Sequence, residues 1–291
     1  MRHAFQIVNV FTLDEDPFSG NPLCVFPDAR GLDDATMQAL ARQMNLSETT
    51  FVLPSERDGH DALVRIFTPA YEMPFAGHPM LGTAFVIAAG ARERRFDLET
   101  EAGSVPVTVC GNRCTLQTAR DPTTREPSAT RSEIAEMIGL PASAVCGAPL
   151  WVDTGVEQLV IPIASAALVR SARPSPELLA LHGYGSSDDE AMAYVFAKEG
   201  NETVARFFFT QHGAVIEDPA TGSACANLGG YLLATSGRGP HAATLRQGDA
   251  VGRPSRLLLD IDVAGKISVA GDVLLLGDGA ITLPDARAES T

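Results

Sequence analysis

A seven-residue phrase occurs twice in this chain and constrains its fold more than any other feature. It reads EMPFAGH at residues 72–78 and EDPATGS at residues 217–223, so both copies follow E-x-P-x-x-G and then a polar residue. A strand-like run ending in Phe-Thr precedes each copy, and a long stretch almost without charge follows it. The repetition predicts two related halves, each with a tight turn that leads into a buried helix.

The chain length agrees with two domains. At 291 residues the chain is near the limit for one hydrophobic core. We predict one domain at residues 1–118, completed by a C-terminal strand at about 278–285, and a second at residues 130–277. A charged, proline-containing linker at 119–129 would join them, with the active site between the domains. The pattern of many strands and one central apolar helix per half predicts an α+β fold without regular βαβ alternation.

Charge and composition exclude several classes of function. The formal net charge is −14 and the Lys and Arg residues are scattered, which argues against a nucleic-acid partner. No apolar run approaches the roughly 20 residues of a membrane span, and the first residues lack a signal-peptide core. We therefore expect a cytoplasmic protein without a membrane partner. The five scattered cysteines are typical of reduced thiols rather than a disulfide framework.

Two polar residues of the first half are candidates for chemistry. Glu48 lies in Asn45-Leu46-Ser47-Glu48-Thr49, at a predicted helix-to-strand junction, where a shielded carboxyl group can shuttle protons. The alternative is a capping or surface glutamate. His78 follows Gly77 at the start of the first apolar helix, where the helix dipole favours a neutral imidazole that can exchange a proton with a substrate. The alternative is a structural histidine.

The second copy of the phrase offers an anion site. Asp218 lies in the turn, and Ser223 follows Gly222 at the matching helix start. Both residue types are common helix caps, which is the simpler interpretation. The Ser223 hydroxyl and the N–H groups that follow it, including that of Ala224, would also form a pocket for a carboxylate. We predict a small-molecule carboxylate as the partner of this site.

No cofactor or metal is predicted. Cys110 and Cys114 flank a predicted hairpin turn, Gly111-Asn112, and no histidine or second cysteine pair follows, so they read as strand cysteines rather than metal ligands. The chain has no phosphate-binding Gly-Lys-Ser/Thr phrase and no G-x-S-x-G nucleophile elbow. Nucleotide hydrolysis and α/β-hydrolase chemistry are therefore disfavoured.

Several spaced motifs together resemble the PhzF-like family of phenazine-biosynthesis isomerases, in the diaminopimelate-epimerase fold group. In chain order they are FQIVNVFTLDEDPFSGNPLCVF, MNLSETTFVLP, RIFTPAYEMPFAGHPMLGTA, WVDTGVEQLVIPI, IEDPATGSACANLGGYL and RQGDAVGRPS. They run from residue 5 to about residue 256. The resemblance implies two pseudo-symmetric domains, each a curled, largely antiparallel sheet around a central helix, and a homodimer.

The resemblance also assigns roles to residues. The catalytic glutamate of the family falls on Glu48, its helix-start histidine on His78, and its aspartate and serine on Asp218 and Ser223. Gly77 and Gly222 match the glycines before the two helices. Epimerases of this fold group place a cysteine at each helix start; here those positions are His78 and Ser223, and Cys225 comes two residues too late.

The leading hypothesis is a cofactor-independent isomerase of a small carboxylated, cyclic or unsaturated metabolite. Glu48 would take a proton from one carbon and return it to another, Asp218 and His78 would assist, and Ser223 with the helix N-termini would hold the carboxylate. One alternative is an amino-acid racemase or epimerase that uses two bases. Another is a protein that binds a metabolite without turning it over.

Overall fold

The chain forms two compact units. The computed structural model describes residues 1–186, 190–237 and 239–284. The first unit contains Met1–Val10, Pro22–Cys114 and the described residues from Asp272 onward; the second contains Phe11–Asn21 and Thr115–Gly271. The predicted linker at 119–129 lies within the second unit. The predicted C-terminal strand at about 278–285 belongs to the first, although residue 285 lies outside the described residues.

The elements up to residue 117 belong largely to the first unit. They are β1 (Arg2–Val10), β2 (Asn21–Phe26), α1 (Asp34–Met44), β3 (Glu48–Leu53), β4 (Ala62–Phe67), β5 (Glu72–Met73), α2 (Gly77–Ala88), β6 (Glu93–Thr100), β7 (Gly103–Cys110) and β8 (Arg113–Gln117).

The remaining elements build the second unit, except that the end of the last strand belongs to the first. They are β9 (Thr123–Arg125), α3 (Arg131–Met137), β10 (Leu150–Asp153), β11 (Glu157–Pro162), α4 (Ala166–Ser171), α5 (Pro176–His182), β12 (Met192–Glu199), β13 (Glu202–Gln211), β14 (Ala214–Asp218), α6 (Gly222–Ser236), β15 (His241–Gln247), β16 (Ser255–Ile261) and β17 (Ile267–Thr282). Short 3-10 turns occur at Ala142–Ala144 and Asp249–Val251.

Both units repeat one order of strand pairing. In the first, β2 pairs parallel with β3, β4 pairs antiparallel with β3 and β5, and β4 pairs parallel with β6, which then pairs antiparallel with β7. The same directions recur for β11 with β12, β13 with β12 and β14, β13 with β15, and β15 with β16. The predicted pair of pseudo-symmetric halves is confirmed.

One apolar helix lies inside each unit. Ten of the twelve residues of α2 are buried, and the helix packs against β1, β3, β4 and β7. Helix α6 is buried along its first ten residues apart from Ser223 and packs against β10, β11 and β16. Because strands contact each helix on several sides, each sheet curls around its helix. The α+β fold expected from the sequence is confirmed. No described helix is both long enough and apolar enough to cross a membrane.

Three local features differ from the sequence prediction. The predicted linker at 119–129 contains β9, which pairs antiparallel with β10, and Arg125 in this strand forms an ion pair of 2.7 Å with Glu157 and stacks 4.8 Å from the centre of the Trp151 ring. Helix α4 was not predicted; Ser165 caps it by accepting a hydrogen bond from the N–H of Leu168. Finally, β17 is one continuous strand over Ile267–Thr282, where the sequence pattern predicts separate strands at 266–270, 273–276 and 280–283.

Candidate active site

An arginine, a phenylalanine and the glutamate of the repeated phrase form one cluster in each unit. In the first unit, Nε of Arg65 lies 2.7 Å from Oε1 of Glu72, and the guanidinium lies 5.1 Å from the centre of the Phe67 ring. The ion pair joins β4 to β5 at the place where the chain turns toward α2. It therefore fixes the turn from which the helix starts.

The second unit repeats this cluster in a more buried form. Arg206 contacts Glu217 through two hydrogen bonds of 3.0 and 2.6 Å, and its guanidinium lies 4.6 Å from the centre of the Phe208 ring. Nη1 of Arg206 also donates to the carbonyl oxygens of three residues at the end of α4. The two side chains of the ion pair are only 8% and 9% exposed. The glutamates of the repeated phrase thus hold the two turns in place.

The strand registers correct one detail of the predicted repeat. Phe67 lies opposite Glu72, and Phe208 lies opposite Glu217. The structural counterpart of Phe67 is therefore Phe208, and the Phe-Thr pair at 209–210 is displaced by one residue from its sequence match. The pairing of β13 with β14 continues beyond Phe208 and Glu217 to Gln211 and Ala214, whereas that of β4 with β5 ends at Phe67 and Glu72, and this difference in hairpin length hides the shift in the sequence.

Glu48 and His78 meet in the first unit. Asn45 ends α1 in the left-handed conformation, with φ of 52°, and the chain turns so that Glu48 begins β3 opposite Leu23. His78 is the second residue of α2. Its Nε2 lies 3.3 Å from Oε2 of Glu48, and the two side chains are 7% and 16% exposed. A carboxyl group and an imidazole are thus in contact with little access to water.

Both central helices begin without a capping side chain. Ala76 precedes α2 and has no side-chain acceptor; Thr221 precedes α6 and makes no capping hydrogen bond. The first N–H groups of α2, from Gly77 and His78, and those of α6, from Gly222, Ser223 and Ala224, point beyond the helix end. They are placed to receive a negatively charged group.

Asp218 is held in a fixed orientation by its neighbours in the second unit. Oδ1 accepts a hydrogen bond of 2.9 Å from the amide of Asn21, and Oδ2 accepts one of 2.5 Å from the hydroxyl of Thr221. Gln247, itself buried, donates to the backbone oxygen of Asp218 and to Thr221. Asn21 also donates to the oxygen of Ala220, so the chain entering β2 is joined to this turn.

The chemical groups of the two halves occupy different positions. The repeated phrase begins at Glu72 in one half and at Glu217 in the other. Counting along both copies from these residues makes Met73 the counterpart of Asp218 and His78 the counterpart of Ser223. The strand registers make Met192 the counterpart of Glu48. The first half therefore carries its carboxyl group, Glu48, at the start of β3, and the second half carries its carboxyl group, Asp218, at the end of β14, immediately before the turn into α6. No group of three or more potential metal ligands occurs among the described residues.

The structure identifies partners that sequence reasoning missed. Asn21, Thr221 and Gln247 orient Asp218, and Gln158 donates to the hydroxyl of Ser223 at 3.0 Å. Thr221 belongs to the repeated phrase and was visible there. The other three lie within the quoted family motifs, but they are distant in sequence from the residues that they contact, so the sequence did not show these hydrogen bonds.

A family model described as phenazine biosynthesis-like protein (PhzC-PhzF) matches residues 8–282. The chain belongs to this family. A trans-2,3-dihydro-3-hydroxyanthranilate isomerase of Pseudomonas aeruginosa is 33% identical over 95% of this chain and 98% of its own length. An uncharacterised isomerase of Pasteurella multocida is 36% identical over 99% of this chain and 96% of its own length. The protein is thus an isomerase of the phenazine biosynthesis-like family.

Solved structures agree with this membership of the phenazine biosynthesis-like family. A Pseudomonas aeruginosa protein described as a predicted epimerase is 31% identical, with a TM-score of 0.80 over 97% of this chain and 100% of its own. A PhzF-family protein of Bacillus anthracis has a TM-score of 0.85 at 22% identity, with the same coverage, and shares the fold. A probable proline racemase of Agrobacterium radiobacter has a TM-score of 0.66 at 13% identity, covering 98% of this chain and 94% of its own, and also shares the fold.

The cysteines of this family member are expected to divide into two reactive and three protected thiols. Cys110 and Cys146 are exposed, whereas Cys24, Cys114 and Cys225 are buried. Burial raises the pKa of Cys24 and Cys114 to about 12 and also raises that of Cys225. Because the thiolate is the reactive form, iodoacetamide should modify two residues in the native protein and five after denaturation. Peptide mass mapping measures the sites.

The same experiment tests for thiol chemistry near the start of α6. A native protein alkylated at Cys110 and Cys146 should keep its activity. Alkylation of Cys225 in the folded protein at the rate of Cys146 would contradict its placement in the core. Loss of activity in step with such a modification would favour a thiol as the base.

Proposed function

We propose that this protein is a cofactor-independent isomerase of a small carboxylated, cyclic or unsaturated metabolite, and that Glu48 carries the migrating proton. The contact between Glu48 and His78 is the observation that supports it most directly. The substrate class comes from the relatives named for trans-2,3-dihydro-3-hydroxyanthranilate isomerisation. A substrate of this kind presents a carboxylate, a ring and an acidic C–H bond.

In the proposed reaction, Glu48 removes a proton from one ring carbon and returns it to another. The carboxylate of Glu48 becomes a carboxylic acid in the first step and a carboxylate again in the second, so no proton is gained or lost. The imidazole of His78, 3.3 Å away, interacts with both forms of Glu48 and holds it in position. The limited exposure of Glu48 restricts exchange of this proton with water.

The remaining groups are assigned to binding. Asp218 would bind a polar substituent of the substrate, and Ser223 with the N–H groups of Gly222 and Ala224 would hold its carboxylate. Gly77 supplies a further N–H beside His78. We propose that these groups act on one substrate, because the family resemblance assigns roles in one reaction to Glu48, His78, Asp218 and Ser223. No cofactor or metal takes part in the proposed chemistry.

A solvent-deuterium experiment tests the proposed function. The protein is incubated in D₂O with trans-2,3-dihydro-3-hydroxyanthranilate and, separately, with a panel of L- and D-amino acids. Mass spectrometry and NMR then locate any deuterium. The proposal predicts isomerised product, with deuterium below one atom per turnover because Glu48 returns much of the proton that it removed.

The alternatives give different patterns. Deuterium at the α-carbon of an amino acid, one atom for each inversion, would replace the proposal with a racemase that uses two bases. Tight binding of the cyclic acid without isomerisation or exchange would indicate a metabolite-binding protein. A boiled sample and the Glu48→Gln variant serve as controls for uncatalysed exchange.

A further inference from the structure

A chain of buried hydrogen bonds leads from the backbone of one turn to the hydroxyl of Ser223. The turn joins β10 to β11 and belongs to the stretch WVDTGVEQLVIPI, to which neither the sequence nor the proposed reaction assigns a role. Thr154, Gln158 and Asn227 are all buried. Asn227 lies in α6, one helical turn after Ser223. These side chains form a continuous path to the helix start.

Two backbone groups determine the direction of every hydrogen bond in this path. The N–H of Thr154 can only donate, so the atom of Asn227 facing it at 3.0 Å is Oδ1. The carbonyl of Val156 can only accept, so the atom facing it at 2.8 Å is Nδ2. Nδ2 also donates to Oε1 of Gln158 at 2.9 Å, which turns Nε2 of Gln158 toward Oγ of Ser223 at 3.0 Å.

The direction of these bonds decides what Ser223 can do. Its oxygen accepts the proton of Gln158, and this is the one hydrogen bond that Ser223 makes within the described part of the chain. The hydroxyl proton therefore points away from Gln158 and is available as a donor. A carboxylate offers this hydroxyl and the neighbouring helix N–H groups two charged acceptor oxygens, whereas a neutral amide offers one uncharged acceptor and an NH₂ group that would face other donors. The path thus favours a carboxylate.

The other half of the molecule shows that the helix can be packed without these amides. The strand registers make Leu23 of β2 the counterpart of Gln158 of β11. Gly82 is the counterpart of Asn227, because each is the sixth residue of its central helix. A Cβ on Gly82 would lie 2.6 Å from Cδ2 of Leu23, so these two residues pack in direct apolar contact. Buried amides cost desolvation that an apolar pair avoids, which indicates that the amides serve a purpose other than packing.

We propose that Gln158 is a positioning residue which, with Asn227, fixes the hydroxyl of Ser223 as a hydrogen-bond donor and makes this helix start selective for a carboxylate over a neutral amide. The substrate class in this inference rests on the proposed function. Gln158 itself need not touch the substrate. Its effect is transmitted through one hydrogen bond to Ser223.

The test compares anthranilate with its neutral isostere anthranilamide as binding probes, by isothermal titration calorimetry. Wild type should bind anthranilate more tightly. Gln158→Met keeps the length of the side chain and removes its donor, so the preference should fall about tenfold, through weaker anthranilate binding. Gln158→Glu places an acceptor beside Ser223, which should draw the hydroxyl proton away from the ligand and reverse the preference.

Gln38→Met is the matched control. Gln38 is half-buried and, among the described residues, also donates a single hydrogen bond, to the backbone oxygen of Thr68 at 2.9 Å, in the first unit. Its loss should lower Tm without changing the ratio of the two affinities. If turnover is measurable, Gln158→Met should raise KM and leave kcat nearly unchanged, which a merely structural effect would not do.

The outcomes separate this inference from the proposed function. An unchanged ratio in Gln158→Met would overturn the positioning role, as would a wild type that binds neither probe or does not prefer anthranilate. If wild type prefers anthranilate, loses that preference in Gln158→Met, and yet isomerises nothing, the inference stands and the proposed function fails.

Discussion

Replacing Glu48 with glutamine is expected to reduce kcat by about 10²- to 10⁴-fold while the protein stays folded, because the amide cannot take up the migrating proton. Glutamine has the same shape and keeps an oxygen or a nitrogen near Nε2 of His78, so the packing at the start of β3 should be preserved. Steady-state kinetics with trans-2,3-dihydro-3-hydroxyanthranilate measure the loss. Calorimetry with anthranilate should show largely unchanged binding.

A control variant separates the loss of a base from a general change in charge. Glu126→Gln alters an exposed glutamate of the second unit and should behave as wild type. His78→Gln should also reduce kcat, because Glu48 then lacks its imidazole partner. A Glu48→Gln variant that retains most of the wild-type kcat would show that another group carries the proton.

Replacing Arg206 with methionine is expected to destabilise the protein by about 3–5 kcal/mol, because Glu217 would be left as a buried charge without its partner. The same change removes the donor to three carbonyl oxygens at the end of α4. Chemical denaturation monitored by circular dichroism measures the free energy of unfolding. The expected loss is a large part of the stability of a typical domain.

Arg65→Met is the matched control in the first unit. Arg65 and Glu72 make the same kind of pair, but their side chains are 22% and 29% exposed, so water can replace part of the lost interaction. Arg65→Met should therefore lower the free energy of unfolding by less, about 1–2 kcal/mol. The double variant Arg206→Met with Glu217→Met should recover part of the loss, since no buried charge remains. Equal costs for Arg65→Met and Arg206→Met would contradict this explanation.

The sequence was sufficient to predict the repeat and the two central helices because their signals are local. The phrase E-x-P-x-x-G and the run of apolar residues after it lie within about twenty residues of each other in both halves. The arginine of each cluster was within reach as well, since Arg65 and Arg206 each stand two residues before the phenylalanine that they cover. Without the register of β13 and β14, however, the sequence matches Phe67 to Phe209, one residue after its structural counterpart Phe208.

The contacts around the candidate site residues could not be predicted in this way. Asn21 and Asp218 are 197 residues apart, and the hydrogen bond between them depends on the path of several intervening strands. The contact between Glu48 and His78 likewise depends on which residue begins β3 and on which side of α2 faces it. The family resemblance named these two residues but gave no distance. The direction of the hydrogen bonds through Asn227 and Gln158 follows only from the three-dimensional arrangement of β10, β11 and α6.

The pairing of β1 with the end of β17 has a consequence for the order in which the chain can fold during its synthesis. Arg2 lies opposite Thr282 and Val10 lies opposite Val273, so β1 finds this partner only after β17, more than 250 residues later in the chain, has left the ribosome. Residues Thr115–Gly271 form a continuous segment of the second unit, which can therefore assemble first. The unit that contains Glu48 and His78 is completed last. Until then one edge of β1 lacks this partner and is exposed to other chains or to chaperones.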